Sequence, residues 1–141
     1  MTTEAGVPTY VSGTGQVATV WQYQSGRFAP VNTVRLDYLV NTGVAIQIGD
    51  VTADGRADFI VPIEAASVVE GSVISKVGGD WHIVPFNAGS YPFSAAWENL
   101  SITGGRLSSM EDDCVPNCAQ GTTSQFFWHY DPGQGGHFER G

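Results

Sequence analysis

Residues 73–86 read VISKVGGDWHIVPF, and this segment decides the fold class. Two apolar runs of strand length, 73–77 and 81–86, flank Gly78-Gly79-Asp80. Glycine adopts positive φ angles without a steric penalty, so a short glycine-rich link between two apolar runs is typical of a β-hairpin. The segment therefore predicts two antiparallel strands rather than a helix.

The same alternation of apolar runs and turn residues continues in both directions from this hairpin. Gly104-Gly105 separates two short apolar runs, and Ser25-Gly26 separates two others. Apolar residues with a period of two are typical of half-buried strands, whereas stripes at helical spacing are scarce here. The further strands predicted in this way are 17–23, 28–34, 44–48, 59–63, 100–103, 107–110 and 124–130.

These strands predict an all-β, mainly antiparallel fold. A chain of 141 residues is long enough to bury one core without metals or several disulfides. We expect a single β-rich domain at 12–138, built as a sandwich or open barrel of about eight strands, with a flexible N-terminal segment at 1–11. Residues 31–40 and 93–100 could be helical, and they predict at most one or two short helices.

The apolar positions of these strands identify a candidate core. Within 59–63, Pro62 indicates a sheet edge or a bulge, because proline cannot donate a ladder hydrogen bond. Aromatic residues spaced two apart, at Trp21 and Tyr23 and again at Trp128 and Tyr130, predict cross-strand packing, with a sugar-stacking surface as the alternative. The predicted core residues are Ile46, Ile48, Phe59, Ile60, Val61, Trp81, Ile83 and Phe127.

The charge composition excludes several classes of partner. The formal net charge is −8, and Lys76 is the only lysine. Nucleic-acid binding and docking on anionic membranes both need basic clusters, so neither is expected. The longest apolar runs fall far short of the roughly 20 residues of a membrane helix, so no transmembrane segment is expected.

The acidic stretch 50–58, DVTADGRAD, is the sharpest motif in the sequence. Calcium takes six to eight oxygen ligands, and a tight loop supplies them from alternate residues around a glycine. In such a loop the ligands would be Asp50, Thr52, Asp54, the carbonyl of Arg56, and Asp58. The stretch is not an EF-hand, because position twelve is valine instead of glutamate. A metal-free turn capped by aspartate side chains is the alternative.

The stretch also resembles the calcium loops of FG-GAP and VCBS repeats, in which such a loop joins two strands of a propeller blade. The resemblance covers residues 49–61 and implies a possible Ca²⁺ cofactor. The motif occurs once, and the chain is too short for a propeller, which needs at least four blades.

Cys114 and Cys118 are the only cysteines and lie four residues apart in CVPNC. A zinc site would need two more soft ligands, and a redox motif has two intervening residues rather than three. The pair therefore predicts a small structural disulfide, with free thiols as the alternative. A disulfide in turn favours an exported protein.

A longer series of features resembles a family of exported proteins. In order, the features are the acidic loop 50–58, Phe59-Ile60-Val61-Pro62, Gly71-Ser72-Val73, the strand 81–86, Gly104-Gly105-Arg106-Leu107, the acidic cysteine loop 111–118, Trp128 and Gly135-Gly136-His137-Phe138. This order resembles the LppP/LprE family of actinobacterial lipoproteins. The resemblance implies an extracytoplasmic domain, secreted or anchored in the cell envelope, of uncharacterised function. The five arginines to one lysine agree with a GC-rich genome.

Two observations concern the route of export. No signal peptide is visible at the N-terminus, because residues 1–4 lack a positive region followed by an apolar one. No lipobox cysteine precedes the domain either. Either a cytosolic protein or the mature part of an exported protein fits these observations. Because the predicted disulfide favours export, we expect a mature extracytoplasmic protein from which the leader is absent, with or without a lipid anchor.

Catalytic motifs are weak throughout the sequence. Glu64, Glu70, Glu98 and Asp113 are candidates for a carboxylate pair of the glycosidase type. On the hairpin at the C-terminal end, His129, Asp131 and His137 could converge on a metal ion. No nucleophile elbow and no phosphate-binding loop occurs in the sequence.

These observations favour a non-enzymatic, exported binding or accessory domain, stabilised by calcium or by the disulfide. The expected partner is an unidentified protein or cell-wall component. One alternative is a small secreted hydrolase that uses paired carboxylates. Another is a secreted enzyme inhibitor that presents the loop from Cys114 to Cys118, because a preorganised loop binds with a smaller ordering cost.

Overall fold

Antiparallel strands joined by tight turns account for almost all of the secondary structure. The computed structural model describes residues 2–4, 6–64, 70–87, 92–93 and 100–141. These residues form fourteen strands in three sheets, together with one 3₁₀ turn at Gly133–Gly135. The prediction of an all-β, mainly antiparallel fold is confirmed, and the arrangement is sandwich-like rather than a closed barrel. No helix in the described part of the chain is long and apolar enough to cross a membrane.

The first sheet is a meander of four consecutive strands. They are β1 (Thr2–Glu4), β2 (Val7–Thr14), β3 (Val17–Gln24) and β4 (Arg27–Arg35). Within the segment 1–11, which the sequence predicted to be flexible, residues 2–4 and 7–11 pair within this sheet. The sequence of β2 lacks a clear apolar alternation, because a threonine, Thr9, occupies a fully buried position where an apolar residue is expected.

The stretch 31–40, considered as a possible helix, is also extended over much of its length. Residues 31–35 continue β4, paired with β3. Val31 and Val34 are β-branched, and such side chains lose less freedom in a strand than in a helix. The candidate helix at 93–100 falls almost entirely outside the described residues.

The second sheet contains the predicted hairpin around Gly78-Gly79-Asp80. Its strands are β5 (Gln47–Gly49), β6 (Asp58–Ile63), β7 (Glu70–Ser75) and β8 (His82–Val84). In the hairpin, Val73 lies opposite Val84 and Ser75 lies opposite His82. Pro62 is not on an edge strand, because β6 lies between β5 and β7, but β5 ends its pairing at Ile60 and leaves Pro62 beyond it.

The third sheet has six strands and contains the C-terminal half of the chain. Its strands are β9 (Phe86–Asn87), β10 (Pro92–Phe93), β11 (Ser101–Thr103), β12 (Arg106–Asp112), β13 (Thr123–Asp131) and β14 (His137–Arg140). Their spatial order is β10-β9-β14-β13-β12-β11. Among the described strands, β9 and β14 make the one parallel pair. The total of fourteen exceeds the expected eight, because six of the strands have only two or three residues.

The second sheet is the middle layer and is covered on both faces. On one face, Phe59, Val61 and Ile74 pack with residues of the first sheet such as Val20. On the other face, Ile60, Val73 and Val84 pack with residues of the third sheet, among them Phe86, Leu107, Trp128 and Phe138. All six residues of β6 are therefore buried, which explains the uninterrupted apolar run 59–63 that follows Asp58.

Most of the predicted core residues lie where expected. Phe59, Ile60, Val61 and Trp81 are buried, and Ile46 and Ile83 pack partly buried against the first core cluster. Two expectations fail. Ile48 is exposed, because it lies on the short strand β5, which is at the edge of its sheet. Phe127 is only half-buried, and its neighbour Trp128 faces the core instead.

Candidate functional site

The acidic loop joins β5 to β6 and brings three carboxylates together. One carboxylate oxygen from each of Asp50, Asp54 and Asp58 lies within 4.8 Å of the other two. Asp50 accepts the backbone N–H of Asp54 at 3.2 Å and that of Gly55 at 2.9 Å. Gly55 has a φ of 83°, which favours glycine at this position and lets the chain turn back sharply. Three of the five predicted calcium ligands therefore converge through their side chains.

Asp58 differs from the other two acids because it is buried. Its Oδ2 accepts hydrogen bonds from the backbone N–H of Val51, the backbone N–H of Thr52 and the hydroxyl of Thr52, at 2.8–3.0 Å. Its Oδ1 accepts the hydroxyl of Ser75 at 2.6 Å. Burial raises the pKa of the Asp58 carboxyl above its ordinary value of 3.8, and the hydrogen bonds from Ser75, Thr52 and Val51 oppose that rise. Asp58 thus anchors the loop to β7.

The other two predicted ligands are the Thr52 hydroxyl and the backbone carbonyl of Arg56. The Thr52 hydroxyl donates to Asp58, so it belongs to the hydrogen bonding of the loop itself. The Arg56 guanidinium points to Glu4 on β1, with Nε 3.6 Å from Oε1. Lys76 lies 3.8 Å from the other oxygen of the same, buried carboxylate. These two ion pairs tie the first strand to the loop and to the hairpin of the second sheet.

Cys114 and Cys118 form a disulfide, as the spacing predicted. The ring that it closes is fixed at its base by two aspartates. Asp112 accepts the N–H of Cys114 at 2.7 Å, and Asp113 accepts the N–H groups of Val115 and Thr122 at 3.1 and 2.9 Å. These two bonds lower the pKa of the Asp113 carboxyl below its ordinary value. Within the ring, Val115 is 68% exposed.

A shallow hollow of about 150 Å³ lies at the foot of this ring. It is lined by Glu111, Asp112, Asp113, Thr122, Ser124 and Phe126. Two of these residues contact Arg140, whose guanidinium pairs with Glu111 and lies 4.3 Å from the centre of the Phe126 ring. The lining of the hollow therefore combines three acidic side chains with the aromatic ring of Phe126.

Of the three candidate catalytic carboxylates that the structure describes, only Asp113 lines this hollow. Its side chain accepts two backbone N–H groups, that of Val115 in the ring and that of Thr122 outside it. Glu64 follows the end of β6 and Glu70 begins β7, so both belong to the middle sheet. Glu98 lies outside the described residues.

On the hairpin of β13 and β14, two of the three predicted metal-binding residues come together. Asp131 lies opposite His137, and Glu139 completes a group whose ligand atoms lie within 4.8 Å of one another. His129 is not part of the group and is exposed, with its ring near Gly141. Sequence analysis missed Glu139, although its position two residues after His137 puts both side chains on one face of the strand.

His137 is held from two sides. Its Nδ1 lies 3.0 Å from the carbonyl oxygen of Gly133, and its Nε2 lies 2.8 Å from Oε1 of Glu139. The hydrogen bond with Glu139 contributes most to raising the pKa of His137 above 6.5, and the bond with Gly133 and the charges of Glu139 and Asp131 add to it, while burial opposes the rise.

The two aromatic pairs noted in the sequence occupy different environments. On the first sheet, Tyr10 stacks on Trp21 at a centroid distance of 5.8 Å, and Phe28 contacts both Tyr10 and Tyr23 edge-on. On the third sheet, Trp128 is buried in the core. Cross-strand packing accounts for the aromatic contacts on the first sheet.

The comparisons with known proteins give no relative. The chain matches no protein-family model, no curated protein and no solved structure.

Proposed function

We propose that this protein is an exported, non-enzymatic binding domain that presents the ring 114–118 to a protein or cell-wall partner. The proposal rests on the way in which the ring is held rigid while an apolar side chain in it stays exposed. The disulfide closes it, Asp112 and Asp113 hold its base by backbone hydrogen bonds, and Val115 points outward at 68% exposure.

The physical advantage of such a ring is preorganisation. A closed loop has already lost most of its conformational freedom, so binding costs less entropy than ordering an open loop would. The exposed apolar side chain of Val115 adds contact area that leaves water on binding. If the partner is an enzyme, the same geometry makes the domain an inhibitor that inserts the ring into an active site.

Two observations support an extracytoplasmic location. Cys114 and Cys118 form a disulfide in the structure. Disulfides form and persist in oxidising compartments and are rare in the cytosol. The order of motifs also resembles the LppP/LprE lipoproteins, which supports placement in the cell envelope or outside the cell.

The proposal is tested by site-specific photo-crosslinking in the native host. A photoreactive residue is placed at Val115, and a matched one at Leu39, which is 50% exposed and lies after the first sheet. We expect a discrete crosslinked species from position 115 and none from position 39. Ring-opened protein, Cys114→Ser with Cys118→Ser, is expected to lose the product. Equal labelling from both positions, or labelling unchanged in the ring-opened protein, would contradict the proposal.

A second proposal concerns the acidic loop. We propose that Asp50, Asp54 and Asp58 hold a calcium ion that stabilises the connection between β5 and β6. The convergence of three carboxylate oxygens within 4.8 Å favours it, because oxygen-only ligands suit this hard cation. The Thr52 hydroxyl donates to Asp58, so the carbonyl of Arg56, other backbone carbonyls and water would complete the coordination.

We expect calcium to raise the melting temperature relative to protein in excess chelator. Calcium at 100 times its dissociation constant adds about 2.7 kcal/mol to the free energy of unfolding. The shift is expected to disappear in Asp54→Asn and to persist in Asp37→Asn, which changes an exposed aspartate outside the loop. Melting curves measured by circular dichroism check this. A shift of the same size in both variants would place the calcium elsewhere, and the absence of a shift in the unmodified protein would leave the loop as a metal-free turn.

A further inference from the structure

The hairpin of β13 and β14 contains a group of side chains that neither proposal uses. Asp131, His137 and Glu139 bring one nitrogen and two carboxylate oxygens within 4.8 Å of one another. The His137 side chain is only 8% exposed, whereas that of Glu139 is 43% exposed. The group therefore has a buried nitrogen at its base and opens towards solvent on the carboxylate side.

The contacts of the His137 ring define the role of each nitrogen. A carbonyl oxygen only accepts hydrogen bonds, so Nδ1 must carry the proton that is donated to Gly133. In the neutral ring, Nε2 then carries the lone pair, and it points at Oε1 of Glu139 across 2.8 Å. Two acceptors attract each other at this distance only with a cation between them, which is either a proton or a metal ion.

The surroundings match those of metal-binding histidines. Such a histidine commonly donates its second ring N–H to a backbone carbonyl or a carboxylate, and ligating carboxylates are themselves hydrogen-bonded. Here Gly133 accepts from Nδ1, and Asp131 accepts the backbone N–H of Gly133 at 2.7 Å. One short turn therefore orients both the ring and one carboxylate.

We propose that Asp131, His137 and Glu139 bind a divalent transition-metal ion of the zinc type. Three protein ligands and a water molecule satisfy a four-coordinate zinc ion. The imidazole nitrogen selects against calcium, which prefers oxygen ligands. Two carboxylates also neutralise the two charges of the ion.

The distances require only a small movement for the ion to enter. Two zinc–ligand bonds of about 2.0–2.1 Å at a tetrahedral angle place the ligand atoms about 3.3 Å apart. The 2.8 Å separation between Nε2 and Oε1 must therefore widen slightly. The half-exposed Glu139 side chain can provide this movement, while the buried ring stays in place.

The experiment is titration of the untagged full chain with Zn²⁺ by isothermal calorimetry, and with Co²⁺ by visible absorption, in excess Ca²⁺ to fill other acidic sites. We expect one Zn²⁺ per chain, and Co²⁺ absorption bands typical of four-coordination. Glu139→Gln and Asp131→Asn each remove one ligand and are expected to weaken binding at least about 10-fold.

Two variants serve as matched controls. His129→Ala removes an imidazole from the same face of the same hairpin, and Asp54→Asn alters the acidic loop; both are expected to bind Zn²⁺ as the unmodified chain does. Because His137 is buried, His137→Gln is compared only after its melting curve shows a folded protein. Absence of saturable Zn²⁺ binding, binding unchanged in Glu139→Gln and Asp131→Asn, or binding lost in His129→Ala would each overturn the proposal. Because neither the ring 114–118 nor the acidic loop takes part, the result is independent of both functional proposals.

Discussion

Asp58→Ala is expected to lower the free energy of unfolding by roughly 3–5 kcal/mol, one of the two largest losses that we predict for a single substitution. The substitution removes the acceptor shared by four donors, namely two backbone N–H groups and the hydroxyls of Thr52 and Ser75. The Val51 N–H keeps a second acceptor, the carbonyl oxygen of Gly49 at 3.1 Å, so three donors lose their partner entirely. Each buried donor left unpaired costs about 1–3 kcal/mol, although water that enters the space recovers part of this. Urea denaturation followed by tryptophan fluorescence measures the loss.

Asp58→Asn is the matched control for this prediction. The asparagine oxygen can still accept the N–H groups of Val51 and Thr52, and its amide can donate to Ser75 Oγ if that hydroxyl rotates. We therefore expect a loss of roughly 1–2 kcal/mol, clearly smaller than for alanine. Equal losses for the two variants would show that charge, rather than hydrogen bonding, makes Asp58 important.

Because the pKa of Asp58 is raised, the free energy of unfolding of the unmodified protein should depend on pH differently from that of the Asp58 variants. A carboxyl whose folded pKa lies above its unfolded value binds its proton more tightly in the folded protein. Its contribution to stability is therefore complete below 3.8 and is lost as the pH rises through the folded pKa. Asparagine does not titrate. The difference in the free energy of unfolding between the unmodified protein and Asp58→Asn should therefore change with pH between 3.8 and the folded pKa of Asp58, and it should be constant at higher pH.

Trp128→Ala is the second substitution for which we expect a large effect, a loss of about 3–5 kcal/mol. The indole is 2% exposed and contacts the Phe86 ring edge-on at a centroid distance of 5.1 Å. Its Nε1 donates to the hydroxyl of Ser109 at 3.1 Å. Removing it opens a cavity in the core cluster between the middle sheet and the third sheet, and urea denaturation again measures the result.

Phe127→Ala tests the same strand from its other face. This ring is half-buried beneath the Arg106 guanidinium, 4.2 Å from its centre. We expect its removal to cost less than about 2 kcal/mol, because it leaves no enclosed cavity. A larger loss for Phe127→Ala than for Trp128→Ala would mean that β13 is shifted by one residue, since such a shift exchanges the two faces of a strand.

The fold class and several local features were predictable because they depend on short-range patterns. The Gly78-Gly79-Asp80 hairpin and the spacing of Cys114 and Cys118 are such patterns, and both predictions are confirmed. The first two strands were missed because Thr9, a polar residue, is buried in β2. Burial of a threonine depends on its Oγ1 donating to the carbonyl of Val7, which sequence periodicity does not indicate.

The layer arrangement and the candidate sites depend on longer-range contacts. The apolar run 59–63 predicted that Phe59, Ile60 and Val61 are core residues, but it did not show that one sheet would cover each face of the strand. Similarly, the spacing of the aspartates predicted the acidic loop, whereas the anchoring of Asp58 by Ser75 joins residues seventeen positions apart. The group on the hairpin of β13 and β14 contains Glu139 rather than the predicted His129. Which of the two joins it depends on the register of the strands, which sequence spacing across a glycine turn does not fix.

The burial of β6 on both faces carries a risk of aggregation when the protein unfolds. Residues 59–63 are uncharged and mostly of high β-propensity, and such a segment can stack with copies of itself once it is exposed. Asp58 and Glu64 flank the segment, and Pro62 interrupts its hydrogen bonding. Charges and proline in these positions are the gatekeepers that oppose intermolecular pairing. The proline that lies beyond the pairing with β5 in the folded sheet thus also protects the unfolded chain.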